Sequence, residues 1–99
     1  MFIIRDIFQL TFGHYADAKK LLDDAMNRNL MPANSQHNRV LTDFTGDSYR
    51  LIFEEGFPTL ADYEKNLTEG MSGAEWKAWY AQFKEHVTAS HREILRLIG

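Results

Sequence analysis

Apolar positions recur at two different periods along this chain, and the switches between them predict its elements. From Phe2 to Leu10 (FIIRDIFQL) both alternating faces are apolar, which predicts a largely buried, central strand bounded by Gly13. From His14 to about Leu30 the period becomes helical, with Ala18, Leu21, Leu22, Ala25 and Met26 on one face and Asp17, Lys19, Lys20, Asp23 and Asp24 on the other. Pro32 is expected to end this helix, and the polar PANSQ leads to an alternation that resumes near Asn38.

The stretch VLTDFTGDSYRLIF, Val40 to Phe53, reads as two strands folded over Gly46-Asp47. A two-residue type II′ turn, with Gly46 at positive φ, fixes the register. Thr45 then faces Ser48, and counting outward sets Phe44 against Tyr49, Asp43 against Arg50, Thr42 against Leu51, Leu41 against Ile52, Val40 against Phe53 and Arg39 against Glu54. Both charged pairs come out opposite in sign. One face collects Val40, Thr42, Phe44, Tyr49, Leu51 and Phe53; the other collects Arg39, Leu41, Asp43, Arg50, Ile52 and Glu54.

After Gly56 the helical period returns, with Thr59 and Asp62 as cap residues and Leu60, Tyr63 and Leu67 on one face, weakening near Gly70. Ser72 with Glu75 forms a second capping box, followed by Trp76, Trp79, Tyr80 and Phe83 at i, i+3, i+4 and i+7. From Val87 the tail fits either a strand or a helix capped by Ser90 and Glu93; a strand completes the order strand, helix, strand, strand, two-part helix, strand. That order predicts a ferredoxin-like α+β sandwich, a split βαβ arrangement with helices on one face of a four-stranded antiparallel sheet. Right-handed crossovers place the first and third strands centrally and the second at an edge.

Ninety-nine residues suit one domain spanning 1–99. Eleven basic against 14 acidic residues, without long runs, give no electrostatic footprint for nucleic acid. The absence of cysteine excludes disulfides, thiolate catalysis and iron–sulfur clusters, and the cytoplasm is the expected location. The start MFII is broken by Arg5 and Asp6, so neither a signal-peptide core nor a membrane span is expected there.

The helix-free face of the sheet carries the chemistry to be explained. Leu41 and Ile52 on it suit water poorly, which predicts a homodimer closing two such faces, with these two residues at the interface. Arg5, Arg39 and Arg50 are candidate ligand-binding residues because guanidinium groups hold carboxylate or enolate oxygens in bidentate fashion; Asp43 and Glu54 belong to the same set. If Asp43 and Glu54 neutralise Arg50 and Arg39, Arg5 is left unclaimed. His37 and His91, beside predicted strands, are the candidate acid–base residues. His14 is expected to begin the first helix and His86 to end the Trp-rich one. No histidine pair has the i, i+4 spacing of a helical metal site and there is no HExxH, so no metal is expected; with no phosphate loop or dinucleotide fingerprint either, no cofactor is expected. The stripe Trp76, Trp79, Tyr80 and Phe83 fits plain core or the wall of an aromatic pocket.

The stretches DFTGDSYRLIFEEGFPTLADYE, WKAWYAQFKEHV and REIL resemble NIPSNAP-like and antibiotic-biosynthesis-monooxygenase-like domains of the dimeric α/β-barrel superfamily. The resemblance implies homodimers through the open sheet face, small organic ligands held between sheet and helices, and activities that include cofactor-independent oxygenases and isomerases; the pocket is expected on the barrel-facing side of the sheet. The Asn, Trp and His set of haem-degrading relatives does not fall in full at matching positions. The rival expectation is a non-catalytic association domain in which the charged pairs set dimer register.

Overall fold

Four antiparallel strands, β1 (Phe2–Leu10), β2 (Gln36–Thr42), β3 (Arg50–Phe57) and β4 (Val87–Arg96), form one sheet in the order β2-β3-β1-β4. Three helices, α1 (Tyr15–Asn27), α2 (Leu60–Gly70) and α3 (Ala74–Phe83), complete the chain, with a short 3₁₀ turn Lys84–His86 before β4. The structure is a computed structural model and describes residues 1–30, 36–70 and 73–99. The ferredoxin-like α+β order is present, β1 and β3 are central, β2 is an edge, and the tail is a strand.

All three helices cover the same face. Phe8 and Leu10 of β1 and Leu51 and Phe53 of β3 pack with Ala18, Leu22 and Ala25 of α1 and with Trp79 and Phe83 of α3. A second cluster joins Ile4 and Phe57 to Tyr63 of α2. Fully burying an aromatic or aliphatic side chain contributes about 1.5–3 kcal/mol, so Phe57, Phe83, Ile4 and Leu51, the largest fully buried side chains, anchor the sandwich. Trp79 also donates its indole N–H to the Leu21 carbonyl at 2.7 Å, fixing α3 against α1.

Helix α2 starts at the Thr59 cap: the Asp62 amide donates to Thr59 Oγ1 at 3.1 Å, and that hydroxyl donates to the Asp62 carboxylate at 2.9 Å. Gly73 stands at the N-cap of α3; Ser72 of the expected capping box lies outside the described residues. Helix α1 does not run to Pro32, itself outside the described residues, but stops at Asn27. Asn29 takes φ +56° while Leu30 N–H donates to Ala25 at 2.9 Å and Asn29 N–H to Met26 at 3.2 Å. This is a Schellman ending, with asparagine tolerating the left-handed position and Leu30 packing back onto the core.

The β2–β3 register is the expected one, Arg39 against Glu54, Val40 against Phe53, Leu41 against Ile52 and Thr42 against Leu51. The two-residue turn is not formed. Strand β2 ends at Thr42 and β3 begins at Arg50, so residues 43–49 are an irregular loop and Phe44 points into solvent. The cause lies on β1: Leu10 N–H donates to the Tyr49 carbonyl at 2.7 Å and the Gln9 amide donates to Ser48 at 2.9 Å. The backbone at Ser48 and Tyr49, both at positive φ, is thereby turned toward β1 and away from Phe44 and Thr45. Across the loop Arg50 still grips Asp43, with Nε and Nη2 donating to Oδ1 at 3.0 and 2.8 Å. Gly46 lies over this pair at φ +127°, where an added Cβ would stand 3.2 Å from Arg50 Nη2. In β3, Gly56 opposes an irregularity in β2 at which His37 adopts φ +56°, and a Cβ there would meet the Gln36 carbonyl at 3.0 Å.

Gly46→Ala is therefore expected to lose about 1–3 kcal/mol of stability through backbone strain. Urea denaturation checks it, and Asp47→Ala at the neighbouring exposed position should stay within about 0.5 kcal/mol.

Candidate functional site

On the open face, strand alternation and register align residues of all four strands in rows. Arg39, Glu54, Arg5 and Glu93 stand directly opposite one another across β2, β3, β1 and β4, a row of alternating charge. Glu54, only 7% exposed, is its hub. It accepts Arg39 Nη2 at 2.7 Å and Nε at 3.1 Å. Arg5 Nε lies 3.2 Å from Glu54 Oε2, close enough for an ion pair but without hydrogen-bond geometry, and Arg5 Nη1 donates to Glu93 Oε1 at 3.4 Å. His37 Nε2 is 3.7 Å from Glu54 Oε1. On one side this row is flanked by Leu41, Ile52, Ile7 and His91, and on the other by Gly56, Ile3 and Leu95.

The fold thus brings Arg5, Arg39, Glu54 and His37 together, with Leu41 and Ile52 in the next row. Arg50 and Asp43 form a separate pair at the loop end, where the Arg50 hydrogen bond holds the Asp43 carboxyl below its ordinary range. His91 is exposed on β4 opposite Ile7. Arg5 is not left unclaimed: β1 lies between β3 and β4, and each neighbour sets a glutamate directly against it.

The helix-covered face holds the other polar group. A cavity of about 390 Å³ opens between α3 and the sheet, floored by Phe8 and Phe53 and walled by Trp76, Trp79 and Tyr80, with Asp6, Glu55 and Arg92 at its polar end. Ser90 and His91 complete its rim, although alternation turns the His91 side chain toward the open face. A second cavity of about 430 Å³, reaching Met26 and Asn29 of the α1 end, shares Phe53 and Glu55 with the first. The aromatic stripe is therefore both core and wall: Trp79 and Phe83 are buried, while Trp76 and Tyr80 are part-exposed cavity lining.

Three ionisable side chains meet at that polar end. Arg92 Nε donates to Asp6 Oδ1, and its guanidinium carbon sits 5.7 Å above the Tyr63 ring. Burial works against the Arg92 charge, but the hydrogen bond and attraction of Asp6 outweigh it and raise its pKa. Glu55 has no hydrogen bond or ion pair among the described residues. Burial, reinforced by the Asp6 charge and opposed by Arg92, pushes its carboxyl from 4.5 to about 7. Burial also raises the Tyr63 phenol, whose hydroxyl is buried without a partner among the described residues, as is the amide nitrogen of Asn66 one helical turn on.

A carboxyl that titrates near neutrality, in a cavity with aromatic walls, can give or take a proton under ordinary conditions. Sequence reading missed Asp6, Glu55 and Arg92 as a group. The available signal was the acidic residue on each central strand that alternation turns toward the helices; the register of β1 against β3 and β4, which unites them, has no local marker.

Because the unfolded Glu55 carboxyl is ordinary, the folded chain binds an extra proton between about pH 4.5 and 7. The associated stability is full below pH 4.5 and is lost as pH rises through about 7. Discounted for partial solvent access, the loss is about 1–3 kcal/mol. Glu55→Gln, which mimics the protonated acid, should match the parent near pH 4.5 and exceed its stability by that amount at about pH 8. Urea denaturation at the two pH values checks this.

No protein-family model matches the chain, and no curated protein matches it. Solved structures do. A NIPSNAP domain protein from Burkholderia xenovorans superposes with a TM-score of 0.88 at 12% identity, over 99% of this chain and 95% of that one. A NIPSNAP family protein from Agrobacterium tumefaciens gives 0.84 at 16% identity over 96% and 90%. A candidate antibiotic biosynthesis monooxygenase from Nitrosomonas europaea gives 0.75 at 11% identity over the full length of both chains. At these identities the likeness is one of fold: the chain has the ferredoxin-like architecture shared by NIPSNAP and antibiotic-biosynthesis-monooxygenase-type domains.

Proposed function

We propose that this protein binds a small organic molecule in the aromatic cavity under α3 and transfers a proton to or from it through Glu55. The Glu55 carboxyl, without a hydrogen-bond or ion-pair partner among the described residues and held near a pKa of about 7 beside Trp76, Trp79 and Tyr80, carries the reading. The walls would hold a flat apolar body. As carboxylate, Glu55 would take a proton from an activated C–H or phenolic O–H, leaving the negative charge on a substrate carbon or oxygen facing Arg92. Returning the proton to a different carbon of the same molecule completes an isomerisation without a cofactor. A cofactor-independent oxygenase would begin with the same proton removal, with dioxygen as co-substrate. The solved antibiotic-biosynthesis-monooxygenase-type folds support this class only as architecture.

This reading moves the ligand away from Arg5, Arg39, Arg50, Asp43 and Glu54, because each of those charges is already met by an opposite one. It likewise assigns no proton transfer to His37 or His91. The open face serves association instead: a homodimer that closes its apolar rows, with the row centred on Glu54 setting the register. Leu41 and Leu95 remain part-exposed beside buried Ile3, Ile7 and Ile52, which supports a face finished by a second copy.

Both tryptophans of the chain line the cavity, so their fluorescence reports on it alone. A panel of enolisable cyclic ketones and substituted phenols should contain members that quench it saturably. For bound ketones, solvent deuterium should enter the carbon next to the carbonyl, about 100-fold or more slowly in Glu55→Gln, with a parent rate that rises through about pH 7. Exchange unchanged by Glu55→Gln sinks the proposal.

Sedimentation should give roughly twice 11.5 kDa for the parent and the monomer mass for the Leu41→Lys/Ile52→Lys double variant. A monomeric parent at micromolar concentration rules out the homodimer.

A further inference from the structure

Away from the cavity, the turn between β1 and α1 meets the 3₁₀ turn before β4. The Thr11 amide donates to the His86 carbonyl at 2.8 Å and the His14 amide donates to the Thr11 carbonyl at 2.9 Å, so the two turns are fixed to each other through backbone. Their side chains converge. His14 Nδ1 and His86 Nδ1 lie 2.9 Å apart, although 72 positions separate them in sequence. Asp17, one helical turn after His14 on the same side of α1, brings a carboxylate oxygen such that one donor atom from each of the three residues lies within 4.8 Å of the others.

We propose that His14, Asp17 and His86 form a binding site for a divalent first-row transition-metal ion, zinc being the simplest case. Two imidazoles and a carboxylate favour zinc, cobalt, nickel or iron over magnesium and calcium, which take all-oxygen shells. The spacing fits: metal–nitrogen bonds of about 2.0–2.1 Å put two nitrogens of one shell about 3.0–3.4 Å apart, a few tenths of an ångström wider than the present contact. Three protein ligands leave a tetrahedral position for water.

The simpler account of the pair, a hydrogen bond between two neutral rings, explains the two histidines and leaves out the third donor. Asp17 makes no hydrogen bond or ion pair among the described residues, yet its carboxylate points to the same spot. An acidic residue in a first helical turn is common, and the positive end of the α1 dipole opposes a cation. The Asp17 charge offsets that opposition at the one place where the two rings also converge. Because the ligands come from both ends of the chain, an ion here would tie the β1–α1 turn to the start of β4 and stabilise the folded state in proportion to its occupancy.

Coordination demands a bare nitrogen on each ring. In the hydrogen-bonded pair one ring carries its proton on Nδ1; with both Nδ1 atoms on a metal, that proton must sit on Nε2, a tautomer change that no purely structural role requires. The test titrates the metal-free full chain with zinc chloride, followed by calorimetry and by nitrogen NMR of the four imidazoles. The expected result is one ion per chain, with nitrogen shifts at both His14 and His86 and a change of tautomer at one of the two, none at His37 and His91, and affinity reduced at least about tenfold in Asp17→Asn and His86→Gln. Asp17 is exposed, so its variant folds and keeps the test open if His86→Gln does not. Absence of saturable binding below about 1 mM zinc, affinity indifferent to Asp17→Asn, or shifts at His37 or His91 in place of His14 and His86 would each overturn the site.

Discussion

A strand flanked on both sides and covered on one face can carry charge only where neighbouring strands supply the opposite sign, and β1 carries two adjacent charges. Alternation sends Arg5 to the open face and Asp6 under the helices. An unpaired ion is costly under the helices, where Asp6 lies, and less so on the open face, where the Arg5 side chain keeps some contact with solvent, yet both are given partners by the fold. Glu54 and Glu93 answer Arg5 from the two flanking strands, and Arg92 answers Asp6 from β4. Both sites on the sheet descend from that one step along β1. The open face becomes a closed row of charges, and the covered face becomes a neutral Asp6–Arg92 pair beside the unanswered Glu55.

That Glu55 goes unanswered is the informative part. Arg92 lowers its pKa but lies behind burial and Asp6 in influence, because Asp6 already holds the guanidinium. A carboxyl left to titrate near neutrality inside a structure costs stability at neutral pH, and the proposed proton transfer in the aromatic cavity beside it would give that cost a use. The open face shows the contrary arrangement, in which every charge is met at short range and little is left to act on a ligand.

Much of the architecture was legible from local signals. Helical and strand periods located the elements as far as α3, and the order of elements decided the tail as a strand; counting outward from Gly46-Asp47, with signs matching across Asp43–Arg50 and Arg39–Glu54, led to the observed β2–β3 register although the turn itself is not formed. The offset between the strands survives because the charge pairs hold it, whereas the loop is shaped by Leu10 and Gln9 of a third strand. Helix α1 ends at Asn27, closed by the left-handed Asn29, because a Schellman motif needs only a residue tolerant of positive φ and an apolar one after it. The candidate site was largely illegible. Its members sit on β1, β3 and β4, whose mutual register is set by crossover packing over long separations, and the same holds for His14 and His86.

The pairing of β1 with β4 also governs how the chain must fold. Arg5 and Glu93 are 88 positions apart, and every rung of that ladder is comparably distant. Contacts of such separation form late, because the loop that closes them is nearly the whole chain. During synthesis β1 precedes β4, and the edge of β1 that β4 will cover stays without its partner until β4 has left the ribosome. An apolar strand with an open edge is a template for pairing with other chains. The step at risk in making this protein is therefore the wait for β4.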